Sequence, residues 1–356
     1  MSILEPVDLL MEMVRFPSLS REEGPIVEWL EQYVRGTGLL DVERYGDNLV
    51  FSYGAGRPWL LLNSHTDVVP PSSDHHGEPF NPVIKDGRIW GRGTTDAKGC
   101  GSTMLTAVLQ IAAEKIPIEG RVSVALTICE ETYGDYNGMS HLRGHIAKPD
   151  AALVGEPTSL APCVAQKGLL MIEMITHGES GHAARVYGRN AIVEMAEVIK
   201  NISKLKFETE NPFIGPVKIT PTILKGGSVG NMNPEKSSLM LDIRTIPEVP
   251  QSEIVAALET CGADEVKVYS DRLKSVETSP DEAIAQAALK ASGQDFFGSP
   301  TASDWVFLAD VPTVKIGPGH SQQSHTRDES IEIEQLLGGV DVYKKTILNY
   351  FNVETR

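Results

Sequence analysis

Seven ionisable residues stand where short apolar runs stop, and that pattern narrows what this chain can fold into more than any other feature. They are His65 and Asp67 in NSHTDVVP, Asp96 in GRGTTDAKG, Glu130 and Glu131 in CEE, Glu156 in VGEPT and His325 in GPGHSQQSHTRDE. Residues 59–62, 122–128, 151–154 and 311–316 are too short for helices and each predicts a buried strand. Open α/β sheets bind ligands beyond the carboxyl ends of their strands, so residues far apart in the chain are expected to converge.

The residue types fit a two-metal hydrolase site. Two histidines and three carboxylates offer donors that suit zinc, cobalt or manganese, and one carboxylate can bridge two cations about 3.5–4 Å apart. Asp96 is the candidate bridge. One further carboxylate must stay outside the metal shell to act as general base on the attacking water, and the doubled Glu130–Glu131 supplies one for each task. Side chains alternate along a strand, but just past its end both glutamates can turn to one cleft. The His65-x-Asp67 spacing puts a carboxylate within reach of the second imidazole nitrogen.

Each signal has an ordinary counterpart. A His-x-Asp pair is commonly a turn hydrogen bond, and paired glutamates are commonly a solvated helix face. The second alternative is weak here, because RVSVALTIC before Glu130 is β-rich and apolar. Gly91, Gly93 and Gly99 could form a plain glycine turn; the spacing of a phosphate loop is absent.

Seven ordered segments, NSHTDVVPP, IWGRGTTDAKGC, ICEETYGDYNG, VGEPTSL, SGHAARVYGRNAI, NMNPEKSSLMLDIRTIP and GPGHSQQSHTRDESIEI, together resemble the dinuclear zinc aminoacylase/carboxypeptidase family. That family includes acetylornithine deacetylase, succinyl-diaminopimelate desuccinylase and carboxypeptidase G. The resemblance runs from about residue 5 to the C-terminus. It implies one metal held by His65, Asp96 and Glu156, a second held by Asp96, Glu131 and His325, and Glu130 as general base. It further implies that Asp67 supports the first histidine and that the Asp96–Ala97 peptide is cis. The implied cofactors are two divalent ions, zinc or cobalt. The implied fold is α/β: a zinc-exopeptidase-like catalytic domain with a mixed central sheet flanked by helices, and an inserted ferredoxin-like α+β domain serving as lid and dimerisation element.

The chain itself supports an insertion. LLMIEMITHG reads as a strand, NAIVEMAEVIKNISKL as a helix with Ile192, Met195, Val198, Ile199 and Ile202 on its apolar face, VKITPTIL and SSLMLDIRTI as two strands, QSEIVAALET as a helix and EVKVYS as a last strand. This is the strand order of a ferredoxin-like unit. It places the inserted domain at residues 167–274 and the discontinuous catalytic domain at 1–166 and 275–356.

At 356 residues, 41% hydrophobic and 22% charged, the chain has an ordinary globular composition and is long enough for two domains. No stretch reaches the ~20 apolar residues of a membrane span, and the N-terminus carries no cleavage signature, so a cytoplasmic location is expected. Cys100, Cys129, Cys163 and Cys261 lack paired spacing, which argues against a disulfide framework. A formal net charge of −16 argues against nucleic-acid or anionic-membrane partners.

In the inserted segment the resemblance implies that His182 polarises the scissile carbonyl, reaching a neighbouring subunit's site in a homodimer. It assigns Arg244 and Asn231 to the substrate's α-carboxylate or its carbonyl pocket, and Ser303 to the substrate loop. Taken alone, Arg244 reads as a surface ion pair. Trp305 and Val306 replace the arginine-containing continuation typical of the desuccinylases, which favours an acetyl over a succinyl group. The expected reaction is therefore hydrolysis of the amide of an N-acyl L-amino acid, foremost N-acetylornithine of arginine biosynthesis. The alternatives are a desuccinylase, a dipeptidase or carboxypeptidase, or a hydrolase acting on a carrier-linked amino acid. A more distant alternative is a non-catalytic metal-binding homologue.

Overall fold

The computed structural model describes residues 2–74, 77–132, 136–185 and 188–353. The chain divides into two compact units, the first formed by 1–164, 278–297 and 303–356, the second by 165–277 and 298–302.

In the first unit the apolar runs form the middle of a mixed sheet. Arg121–Thr127, Trp59–His65, Ala151–Val154 and Thr313–Lys315 lie side by side in that order and run parallel. Asn48–Gly54 and then Asp41–Tyr45 extend the sheet antiparallel beyond Arg121–Thr127. Trp59–His65 is buried at every position, as a parallel strand covered on both faces must be. Helix Lys98–Ala113 is buried nearly all round; it packs on Trp59–His65, and helices Pro6–Val14 and Ile333–Tyr350 pack on it. Val83–Lys85, Arg88–Trp90 and Ser330–Glu332 make a small antiparallel sheet of their own. Cys100, Cys129, Cys163 and Cys261 are buried and in no disulfide among the described residues.

The second unit is a four-stranded antiparallel sheet in the order Lys218–Gly226, Lys236–Thr245, Gly168–His177, Glu265–Leu273. With helices Ala191–Ile202 and Gln251–Glu259 between strands, the chain order and sheet order are those of a ferredoxin-like unit. Burial alternates residue by residue along Lys236–Thr245, with Leu239, Leu241 and Ile243 facing the core. Asn190 caps the first helix by accepting from Ile192 and Val193 amides, and Ala191, Met195, Val198 and Ile202 form its buried stripe. Ile192, expected on that stripe, is instead 46% exposed, because Ala191 occupies the core-facing position at the helix start. Residues 298–302 return to this unit without any sequence signal: the Ser299 carbonyl accepts from Lys167 N, and the Pro300 carbonyl from Arg244.

Among the described residues no helix is long and apolar enough to cross a membrane. Leu62 has no exposed surface at the centre of the parallel sheet. Leu62→Ala is expected to destabilise the protein by about 2–5 kcal/mol, read from the urea midpoint.

Candidate metal centre

His65 ends its strand with its side chain buried. Its Nδ1 lies 2.9 Å from the Asp67 main-chain oxygen, while the nearer Asp67 carboxylate oxygen is 3.5 Å away. The imidazole is therefore oriented chiefly by the carbonyl of Asp67, where the spacing had pointed to its carboxylate. That carboxylate has other partners: Oδ1 accepts from Glu130 N and Oδ2 from Glu131 N, both at 3.0 Å, and Ser20 Oγ donates to Oδ2 at 2.6 Å.

With Nδ1 donating, Nε2 presents a lone pair. It is buried, has no hydrogen-bond partner among the described residues, and faces Asp96 Oδ1 at 3.4 Å and Glu156 Oε1 at 4.0 Å. A lone pair aimed at two carboxylates is stable only with a positive charge between them, and a divalent cation with nitrogen and oxygen ligands fits that place.

Asp96 sits in the turn before helix Lys98–Ala113, and the Asp96–Ala97 peptide is cis. The glycines of this turn are required: Gly93 has φ +84°, and a Cβ on Gly99 would lie 2.3 Å from the Thr94 carbonyl oxygen. Beyond Arg121–Thr127 the chain breaks strand alternation at Cys129, whose φ is +56°. Its amide donates to the buried Glu23 carboxylate at 3.0 Å. The break lets Glu130 and Glu131 both reach the cleft, where with His65 they form a group whose candidate ligand atoms lie within 4.8 Å of one another. Glu156 follows Ala151–Val154, and the intervening Gly155 amide bonds to the Asn63 carbonyl at 2.7 Å. His325, at φ +63°, reaches in from a loop with Nε2 2.8 Å from Glu131 Oε1 and 3.5 Å from Asp96 Oδ2.

Two further groups obey the same 4.8 Å limit: His65, Asp96 and Glu156, and Asp96, Glu131 and His325. Asp96 belongs to both. Crowding four carboxylates has electrostatic consequences. Burial, then the Asp96 charge, pushes the Glu156 carboxyl up to about 8. Burial, with Glu156, Asp304 and Glu131 adding to it, pushes Glu130 well above the carboxylate range. Burial opposes the charged imidazole of His65, but the nearby Asp67 and Asp96 carboxylates outweigh it and raise its pKa.

The remaining candidates divide between the units. Ser303 is buried in the first, one residue before the short turn Asp304–Leu308. Asp304 accepts from Asn137 Nδ2 at 2.8 Å and Thr127 Oγ1 at 3.2 Å, and burial pushes it up to about 6. In the second unit His182 is exposed, and its Nδ1 accepts from the Ala184 amide at 3.1 Å. The Asn231 carbonyl accepts from Ala183 N. Arg244 is engaged in an ion pair with Asp242 at 2.9 Å, the ordinary arrangement for an arginine at a strand end.

Residue reading alone did not find Glu23, Glu329, Arg92 or Asp304. Glu23 lies in SREEG and Glu329 in TRDES, each among other acidic residues that look like solvated surface. Only burial separates them from their neighbours: Glu23 is 2% and Glu329 1% exposed.

Comparison with known proteins agrees with this architecture. Residues 61–349 match the family described as peptidase family M20/M25/M40. A succinyl-diaminopimelate desuccinylase of Sulfurovum sp. is 30% identical, the alignment covering 97% of this chain and 98% of that protein. An acetylornithine deacetylase of Pasteurella multocida is 28% identical, over 87% of this chain and 85% of the relative. Among solved structures, the aminopeptidase PepT of Bacillus cereus shares the fold at a TM-score of 0.79 and 20% identity, with 97% of this chain and 98% of that one covered. The chain belongs to peptidase family M20/M25/M40 and is a metal-dependent amidohydrolase.

Proposed function

We propose that this protein hydrolyses the amide bond of an N-acyl L-amino acid at a two-metal centre, with His65, Asp96 and Glu156 holding one ion and Asp96, Glu131 and His325 the other. The sharing of Asp96 between two triads, one of them containing the unpartnered His65 Nε2, carries this reading. The imidazole and carboxylate donors suit zinc, with cobalt as a substitute. When bound, such ions polarise the scissile carbonyl and make water a nucleophile near neutral pH.

Glu130 is the general base in this reading. It stands beside His65 and Glu131, and its raised basicity suits taking a proton from the attacking water and returning it to the leaving amine. Asp67 holds Glu130 through the main chain, so the carboxylate is aimed without occupying its own oxygens. His182 accepts at Nδ1, which leaves the proton of the neutral ring on Nε2, the form that donates to a developing oxyanion. The family resemblance adds a homodimer in which that donor serves the other copy. Arg244, Asn231 and Ser303 are assigned to substrate binding; for Arg244 this requires its guanidinium to serve a carboxylate in addition to, or in place of, Asp242.

Among acyl groups we favour acetyl, with N-acetylornithine as the foremost substrate. Trp305, fully buried, and Val306, half-buried, are uncharged, and so neither supplies a cation for a succinyl carboxylate. The second reading is a desuccinylase, favoured by the relative of that name at 30% identity.

Amine release should be measured for the zinc- or cobalt-loaded protein across N-acetylornithine, N-acetyllysine, N-succinyl-diaminopimelate and dipeptides. N-acetylornithine is expected to turn over fastest, and chelator should abolish the activity. Faster release from the succinyl compound would establish the second reading, and no release from any compound despite bound metal would exclude both. Glu130→Ala should lower kcat by about 10²–10⁴-fold with metal uptake intact; near-wild-type turnover would remove Glu130 from the mechanism.

A further inference from the structure

Arg92 and Glu329 form an ion pair inside the first unit, each 1% exposed. One glutamate oxygen, Oε2, takes Arg92 Nη1. The other, Oε1, accepts two consecutive main-chain amides, Thr95 N at 2.9 Å and Asp96 N at 3.0 Å. The second guanidinium nitrogen, Nη2, donates to the Thr326 carbonyl at 3.2 Å, on the residue next to His325. Pairing of Arg88–Trp90 with Ser330–Glu332 brings these segments together, and Gly91 N completes the join by donating to the Glu329 carbonyl at 3.1 Å.

A buried ion pair is a poor source of stability, since apolar residues of similar size commonly serve as well. Its geometry is what distinguishes this one. It runs from the amide of the carboxylate common to both triads, through two charged groups, to the loop that brings the second histidine.

We propose that Arg92 and Glu329 are positioning residues that couple the two halves of the metal centre. Glu329 fixes the main chain of Asp96, and Arg92 ties that fixed point to the His325 loop. The assignment rests on the metal reading above. Neither residue belongs to either triad; their effect runs through Asp96 and His325, as partners behind metal ligands commonly act, with about 10–100-fold effects on affinity.

Two charge-conserving variants keep the pair compensated and so protect the fold. Glu329→Asp retains the carboxylate but draws it back from the Thr95 and Asp96 amides. Arg92→Lys retains the cation but loses the bond to Thr326. Cobalt titration of the metal-stripped full-length chain, followed by calorimetry and visible absorption, should show two uptake events in the wild type. In Arg92→Lys one event should weaken about tenfold or more while the other stays within a few-fold; in Glu329→Asp both should weaken. Titrations matching the wild type in both variants, or equal weakening of both events in Arg92→Lys, would overturn the coupling while leaving the two-metal reading intact. A wild-type chain that takes up fewer than two ions would overturn that reading and the coupling with it.

Discussion

A carboxylate buried under a turn and accepting that turn's main-chain amides is the interaction on which the rest of this centre depends. Asp67 does this for Glu130 and Glu131, Glu329 for Thr95 and Asp96, and Glu23 for Cys129. Hydrogen bonds to a charged group contribute about 1.5–3 kcal/mol each, enough to hold main chain in conformations such as the positive φ of Cys129. The arrangement separates two tasks that one carboxylate cannot perform together. One set of acids spends its oxygens on the backbone, and Asp96, Glu130, Glu131 and Glu156 keep theirs turned to the cleft.

This division explains what could and could not be read from the amino-acid order. The parallel strands were legible because residues 59–62, 122–128 and 151–154 are apolar runs bounded by polar turns, and all but Ile128, just past the end of Arg121–Thr127, lie in strands. The ferredoxin-like order of the second unit was legible from its alternating and helical periodicities. The sorting of acids was not. Glu329 and Asp328 are neighbours with the same charge, and only tertiary burial, 1% for Glu329, decides which one grips a backbone. The partner of His65 Nδ1 was equally hidden, since carbonyl and carboxylate belong to the same Asp67 and differ by a rotation of main chain. The return of residues 298–302 to the second unit depends on the Ser299 and Pro300 carbonyls, atoms every residue possesses.

Family membership and local geometry constrain different things. The family match fixes the class of chemistry, and the fold likeness to peptidases of low identity fixes the scaffold. The acyl group is not fixed at that level, since relatives bearing two different names align over most of this chain. One scaffold can host several substrates, because the site and not the fold decides what is bound.

The discontinuity of the first unit bears on how the chain is made. Ala151–Val154 pairs on one side with Trp59–His65 and on the other with Thr313–Lys315, which is synthesised roughly 160 residues later. At common translation rates of about 5–20 residues per second, that edge of the sheet waits on the order of ten to thirty seconds for its neighbour. The second unit, by contrast, is almost one continuous segment and has its four strands in hand once Glu265–Leu273 has emerged from the ribosome. The order of completion on the ribosome is thus inserted unit first and sheet second, so a nascent chain passes through a stage with an open apolar edge that chaperones are suited to shield.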